Sequence, residues 1–321
     1  MADNTIGILF LGGAKRVSMA RHFKAAALAR GLRPRIYSYE MTADVPIAIE
    51  GEVIIGKRWR DEDVVADIIG VCRDRGISVV IPFVDGAVAV AAEVAEAAGG
   101  DIFSPVSTAD LAELMFDKVR CGDALTAQGI PVPPTVDITA SLTVPVIAKP
   151  RHGSASKGIV AIDSADDLRR LPDTAGYLFQ QRFDRRREIT VDCYVSMLGG
   201  DIVCAVPRIR DEVAGGEVVR TTVLHNDAYE GLAHRVLSSI SLRGAVTVQL
   251  IEDLDTGSVY VMEINPRLGG GAVATVACGV GLPGFIIDES RGQAPAANPR
   301  WYDATVCRYL DECVFPKTEQ Q

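Results

Sequence analysis

Three polar residues alternate along one apolar run: Glu263, Asn265 and Arg267 sit in Val259-Tyr260-Val261-Met262-Glu263-Ile264-Asn265-Pro266-Arg267, ahead of Leu268 and three glycines. Side chains two apart on a strand share a face, so a carboxylate, a carboxamide and a guanidinium point to one spot. Pro266 and Gly269, Gly270 and Gly271 end the strand. A second strand over residues 245–252 precedes it, and the turn-like Asp253-Leu254-Asp255-Thr256-Gly257-Ser258 between them makes a hairpin that sets Gln249 beside Glu263. Gln249, Glu263 and Asn265 then form a cluster of hard oxygen ligands that suits magnesium, and Arg267 at its edge suits a polyphosphate. The alternative is an edge hairpin with ordinary solvated polar groups.

A second constellation is cationic. Residues 144–150 read as a strand ending in Lys149-Pro150, followed by Arg151-His152-Gly153-Ser154-Ala155-Ser156-Lys157-Gly158. A loop of that composition can fold its N–H groups around phosphate oxygens, with Lys149 and Lys157 supplying charge. Its glycine, lysine and hydroxyl spacing is not that of a Walker A loop, and the alternative is a plain hairpin loop. Arg208, Arg210 and Arg220 gather on a returning strand pair; they serve either an anionic substrate or ion pairs on the sheet surface.

These residues need elements to position them, and 321 residues suffice for two or three compact units. The formal net charge of −9, with no Lys/Arg-rich run, disfavours nucleic acid and anionic membrane as partners. Seven scattered cysteines without a C-x-x-C pair read as reduced thiols. No signal peptide and no apolar run of bilayer-spanning length is recognisable, so a cytoplasmic protein is expected.

The chain opens with a strand over residues 5–11, a helix over 17–30 and a strand over 33–38, a βαβ unit. Its turn, Leu11-Gly12-Gly13-Ala14-Lys15-Arg16, lacks the G-x-G-x-x-G spacing, so no nicotinamide or flavin site is expected, although the helix start is able to receive an anion. Strands over 52–55, 79–83 and 101–104 alternate with helices over 61–74 and 87–98, which implies a parallel sheet covered on both faces. Asp85 follows a strand's carboxyl end, where such sheets place ligands; a helix N-cap is the competing role. One helix is expected over 108–128, carrying Asp117-Lys118 either as an exposed pair or as part of a site. Antiparallel strands follow over 176–183, 187–195, 201–208 and 218–223, then a helix over 226–240.

Taken in order, these pieces resemble the ATP-grasp superfamily, which includes the synthetase domains of carbamoyl-phosphate synthase and the carboxylate–amine ligases. The resemblance covers nearly the whole chain and rests on Asp117-Lys118, Lys149-Pro150, the loop from Gly153 to Ile159, Leu178-Phe179-Gln180-Gln181-Arg182-Phe183, Glu188-Ile189-Thr190-Val191-Asp192, Gln249, and Glu263-Ile264-Asn265-Pro266-Arg267. It implies a mixed α/β and α+β fold: an N-terminal Rossmann-like (pre-ATP-grasp) parallel sheet over 1–110, a small central lid subdomain over 111–183, and a C-terminal antiparallel-sheet subdomain over 184–321 with the metal and phosphate site. ATP with magnesium or manganese is the implied cofactor set.

Carried over position by position, Lys118 and Lys149 contact the ATP phosphates, and Gly153, Ser154, Ser156, Lys157 and Gly158 close over them. Gln181 and the Phe183 backbone meet adenine, Glu188 takes the ribose hydroxyls, Gln249, Glu263 and Asn265 hold the metal, and Arg267 stabilises the transferred phosphoryl group. Gln180-Gln181 stands where an acid is common and Gln249 where some relatives have a second carboxylate, which weakens one metal position. The implied reaction is ATP-dependent activation of a small carboxylate as an acyl phosphate for attack by an amine, with Arg210 or Arg220 and the N–H groups of Gly269 to Gly271 holding the acid. The competing readings are a kinase releasing a stable phosphate and a non-catalytic nucleotide-binding module. Nothing in the sequence names the acid or the amine, and a homodimer is the default assembly.

Overall fold

The computed structural model describes residues 4–138, 145–153 and 157–317. The N-terminal part alternates strand and helix: β1 (Thr5–Leu11), α1 (Val17–Leu28), β2 (Arg33–Glu40), a 3-10 turn (Pro46–Ile49), β3 (Glu52–Ile55), α2 (Val64–Arg75), β4 (Ile77–Pro82) and α3 (Gly86–Ala97). The four strands form a parallel sheet in the order β3-β2-β1-β4. Its two faces follow from the period-two alternation of β1. Ile6, Ile8 and Phe10 pack with Met19 and Phe23 of α1, while Leu9 and Leu11 pack with residues of α2 and α3 such as Ile68 and Val88. A strand buried on both faces reads as the continuous apolar run seen in the sequence.

The expected strand over 101–104 is reduced to one bridge, Val79 to Phe103. Gly99 and Gly100, both with positive φ, precede it and Pro105 follows, which leaves room for little more. The single helix expected over 108–128 is two helices, α4 (Ala109–Phe116) and α5 (Lys118–Ala127). Asp117 breaks it: with φ −91 and ψ 102 it is extended, and its carboxylate caps α5 by accepting from the backbone N–H groups of Val119 and Arg120.

A small antiparallel sheet follows, built from β5 (Val146–Pro150), β6 (Val160–Ile162) and β7 (Tyr177–Gln181) in the order β6-β5-β7, with the short helix α6 (Ala165–Arg169). Its core is correspondingly modest: Val146, Ala148, Ile162 and Phe179. The chain then enters β8 (Arg186–Val195), β9 (Ile202–Ala214), β10 (Glu217–Val223), α7 (Asp227–Ser239), β11 (Gly244–Asp253), β12 (Val259–Asn265), α8 (Ala272–Ala277), α9 (Leu282–Glu289) and β13 (Ala304–Cys307).

The last six strands make an antiparallel sheet ordered β12-β11-β8-β9-β10-β13. One face of it is apolar: Ile189, Val191 and Cys193 of β8 and Val246, Val248 and Leu250 of β11 bury against Leu232, Ala233 and Val236 of α7 and against Met115 and Leu125 of α4 and α5. The other face is where the polar residues lie. All seven cysteines are free thiols, five of them buried, so no cross-link holds this fold together. No helix among the described residues is long and apolar enough to cross a membrane.

Candidate active site

Strand register places the chemistry. Gln249 of β11 lies opposite Glu263 of β12 on one side and Thr190 of β8 on the other, and Thr190 lies opposite Arg208 of β9. A single row across four strands therefore reads Glu263, Gln249, Thr190, Arg208. One step along, Asn265, Thr247 and Asp192 form a parallel row. Such a row on a half-buried sheet is what alternation produces when the opposite face must be apolar.

Between this polar face and the small sheet lies a cavity of about 260 Å³. Its apolar lining includes Ile147, Ile159, Phe183, Ile251 and Met262, and Phe183 is held by stacking on Tyr260 with ring centroids 5.2 Å apart and 12° between planes. Its charged lining is lopsided. Six cations (Lys118, Lys149, Lys157, Arg182, Arg186 and Arg210) face it with two carboxylates, Glu188 and Glu263. In a chain of net charge −9 that local excess of positive charge sets the cavity apart from the rest of the molecule.

Lys149 is the most telling of the six. It projects from β5 with 7% of its surface exposed, and its ammonium donates 3.0 Å to Oε1 of Gln180, a neutral acceptor. Burial pushes its pKa down to about 8, against the upward pull of Glu263. Gln180 is itself fixed by donating to the Pro133 carbonyl at 3.3 Å, so Lys149 is aimed and left without a full counter-charge. Lys118, at the start of α5, donates to the Gly153 carbonyl at 2.7 Å, tying the helix to the loop after β5. Arg151 reinforces the same junction by gripping the Asp117 carboxylate at 2.7 Å, and that hydrogen bond holds Asp117 down to about pKa 2. Asp117 is thus buried beneath the site and structural.

The metal ligands anticipated from the sequence meet as a cluster of modest charge. Asn265 donates to Oε1 of Glu263 at 2.7 Å, and Gln249 and Glu263 line the cavity. Among the described residues no group of three or more His, Cys, Asp or Glu is arranged to hold a metal. One carboxylate with two amide oxygens fits magnesium that arrives already bound to phosphate oxygens, since that ion commonly uses one or two carboxylates and fills its shell from phosphates and water. Three buried polar atoms on the same face, Oγ1 of Thr190, Nη1 of Arg208 and Nε of Arg210, have no hydrogen-bond partner. Of the three, Arg210 lines the cavity, and an unmet donor at a cavity wall is the expected mark of a ligand's place.

Other anticipated residues are engaged differently from expectation. Glu188 lies 3.5 Å from Arg210 and 3.6 Å from Arg186, so it serves as their counter-charge. Arg267 leaves the cavity wall: its Nε donates to Asp85 Oδ1 at 2.6 Å, and Nη2 reaches Asn265 Oδ1 at 3.4 Å. Asp85 makes no side-chain cap on α3, which overturns its N-cap reading in favour of the contact with Arg267. Arg220 is a correction. It is exposed on β10, with the register to β9 breaking on both sides of it, and it does not line the cavity. Gln181 and Gly153 do line it, Gly158 lies in the same loop, and Ser154 and Ser156 fall outside the described residues.

Two cations of the lining, Arg182 and Arg186, escaped the sequence reading. Arg186 lines the cavity, and its place two residues before Glu188 on β8 was the available signal, masked by the run Arg185-Arg186-Arg187. Arg208 is almost wholly buried and pairs with Asp192 at 2.8 Å, where Thr275 also donates at 2.6 Å. Gly271 sits against it: a Cβ there would lie 2.7 Å from the Arg208 guanidinium, so the third glycine of the triplet is a packing requirement.

The family described as ATP-grasp in the biosynthetic pathway with Ter operon matches residues 181–313. Among solved structures, biotin carboxylase of Campylobacter jejuni in a β-γ-ATP complex superposes with a TM-score of 0.76 at 17% identity, over 94% of this chain and 75% of that one. The chain has the ATP-grasp fold. N5-carboxyaminoimidazole synthetase of Staphylococcus aureus, complexed with ADP, shares that fold at a TM-score of 0.75 and 17% identity, covering 95% of this chain and 82% of its own. The biotin carboxylase domain dimer of Hydrogenobacter thermophilus 2-oxoglutarate carboxylase, with MgADP and bicarbonate, gives 0.74 and 17%, over 94% and 74%. No curated protein sequence matches. In the ATP-grasp fold of this chain, the cavity lies between the two antiparallel sheets, with residues of both in its lining.

Proposed function

We propose that the protein is an ATP-dependent ligase that activates a small carboxylate as an acyl phosphate for attack by an amine. The observation that carries this is the lopsided lining of the cavity, six cations to two carboxylates, around a buried lysine whose one side-chain hydrogen-bond partner among the described residues is neutral. Lys118, Lys149 and Lys157 take the phosphates, and Gly153 and Gly158 sit in the loop that closes over them. Gln181 and the Phe183 backbone receive adenine beside the Phe183–Tyr260 stack, and Glu188 takes the ribose once it parts from Arg186 and Arg210. Gln249, Glu263 and Asn265 hold magnesium, which when bound neutralises phosphate charge.

The acid sits against Arg210, whose Nε makes no hydrogen bond and stands 3.5 Å from Glu188, and Arg267 stabilises charge on the transferred group once it parts from Asp85. One carboxylate oxygen of the acid attacks the γ-phosphorus and the bond to ADP breaks. The amine then attacks the acyl carbon, phosphate leaves with that oxygen, and the amine loses a proton. Cations placed beforehand stabilise this charge without reorganising, and closure over the site keeps water from the acyl phosphate. The division into units at residues 110 and 183, a cytoplasmic setting and a homodimer belong to the same proposal.

The test is ADP release with magnesium and ATP, screened over mixed carboxylic acids and amines, with Glu263→Ala as control. An acid labelled with heavy oxygen in its carboxylate delivers one label to the released phosphate if the ligase reading is right. ADP formation with a stable phosphorylated product instead identifies a kinase. Tight ATP binding with no ADP from any mixture identifies a binding module.

A further inference from the structure

A second cavity, of about 370 Å³, opens at the carboxyl ends of β1 to β4. Its position is topological. β2 and β3 lie on one side of β1 and β4 on the other, and ligands of open parallel sheets enter the crevice where strand order reverses in this way. Gly12 forms part of its floor with φ +70, and a Cβ there would stand 2.7 Å from Val84. Trp59 and Tyr39 supply an aromatic wall, their rings 5.8 Å apart.

The charges around this cavity are not equally available. Glu40 accepts from Ser38 Oγ at 2.7 Å and from the backbone N–H groups of Gly13 and Ala14, so the helix start is occupied by the protein's own carboxylate. Glu217 is shared between Arg16 at 3.1 Å and Arg308 at 3.2 Å. Both carboxylates are spent. By contrast, Lys15 is exposed at the mouth with no hydrogen bond or ion pair among the described residues, and Arg16 has a buried Nε without a partner. The cavity also adjoins the first site. A Cβ on Gly270 would lie 3.0 Å from the Arg16 guanidinium, and Val84 in the lining precedes Asp85, the partner of Arg267.

We propose that this second cavity holds the body of the acid substrate: a flat or apolar molecule lying on Trp59, with a second anionic group, carboxylate or phosphate, at Lys15 and Arg16 Nε. The assignment to the acid substrate rests on the ligase reading; the recognition of an aryl anion does not. An unpaired lysine and an arginine with one unpartnered N–H beside an aromatic wall select for that combination, because a neutral ring gains no charge-assisted bond and a bare anion gains no stacking.

The test uses the full chain with Trp301→Phe, which leaves Trp59 as the lone tryptophan of the two. Phenyl phosphate and benzoate should each change its emission saturably, inorganic phosphate should bind more weakly than phenyl phosphate, and benzyl alcohol should give no saturable change. Lys15→Glu, at an exposed position that does not endanger folding, should weaken the aryl anions by roughly tenfold or more, and Lys15→Ala by less. The order of phenyl phosphate and benzoate tells which anion the site prefers. Lys149→Ala, which strikes the first cavity, should leave the response in place. No saturable response, equal affinity in Lys15→Glu, or loss in Lys149→Ala each overturns the proposal. Nucleotide binding is titrated alongside: if ATP binds and the aryl anions do not, the second cavity fails alone, and if the anions bind and ATP does not, the ligase reading fails instead.

Discussion

On β8 the odd-numbered residues Ile189, Val191, Cys193 and Val195 are buried in the core under α7, while Glu188, Thr190 and Asp192 face the opposite way into the polar rows. Stability and chemistry are thus assigned to two faces of one strand. The period of two permits this, because adjacent residues answer to different solvents. The comparison also exposes an exception: Asp192 lies on the polar face, yet its pairing with the almost wholly buried Arg208 makes it structural. Asp192→Ala should therefore be the costliest change on that face, destabilising by about 3–5 kcal/mol in chemical denaturation, because it strands a buried guanidinium. A loss of ATP affinity with unaltered denaturation midpoint would instead move Asp192 into the site.

Next in size is a change on the apolar face. Leu250→Ala should lower stability by about 2–5 kcal/mol while leaving nucleotide affinity per folded molecule unchanged. Its neighbour Gln249 faces the cavity, so a pair of adjacent substitutions separates the two functions. Lys149→Ala tests the other half. Turnover should fall by about a hundredfold or more with the fold intact, the scale on which a preorganised electrostatic donor acts. Removing a desolvated ammonium is not expected to lower stability, and a large drop in melting temperature would show that Lys149 is structural.

The hairpin was legible from sequence because a turn separates two strand-like runs, but the register set at the turn would place Gln249 opposite Met262, and a one-residue bulge at Met262, which nothing local announces, brings Glu263 opposite Gln249. The parallel sheet was legible because strand and helix patterns alternate. Asp117 was less so: a cap inside a continuous helical pattern becomes visible only with Arg151, 34 residues on, to hold it. Arg267 shows the same limit more strongly. Its partner Asp85 is 182 residues away, and nothing local in either segment announces the pair. Arg186 was hidden among like charges, where period two alone separates the member that faces the cavity.

Protonation sharpens the comparison further. Burial lowers Lys149 to about 8, and a bound polyphosphate favours the charged form, raising its pKa in the complex. Affinity should therefore be full below pH 8 and decline as pH rises through and beyond it, by up to about tenfold per unit until the pKa of the complex is reached. Calorimetry in buffers of different ionisation enthalpy should register proton uptake on binding at pH 8.5. Lys149→Ala should remove both the slope and the uptake; a slope that survives in the variant belongs to another group.

The smallest effect is the most pointed, because Arg210 and Arg220 look alike in the sequence. Arg210 lines the cavity and is largely buried, whereas Arg220 stands exposed on β10 where the ladder to β9 slips twice. Arg210→Ala should raise the KM for the acid or depress turnover with ATP affinity retained. Arg220→Ala should stay within about 0.5 kcal/mol of the parent in stability and leave both kinetic constants unmoved, as surface substitutions do. An Arg220→Ala variant with impaired turnover would mean that β10 turns inward when the acid binds, and then the division between exposed and cavity-facing residues would describe one state of the sheet and not the sheet itself.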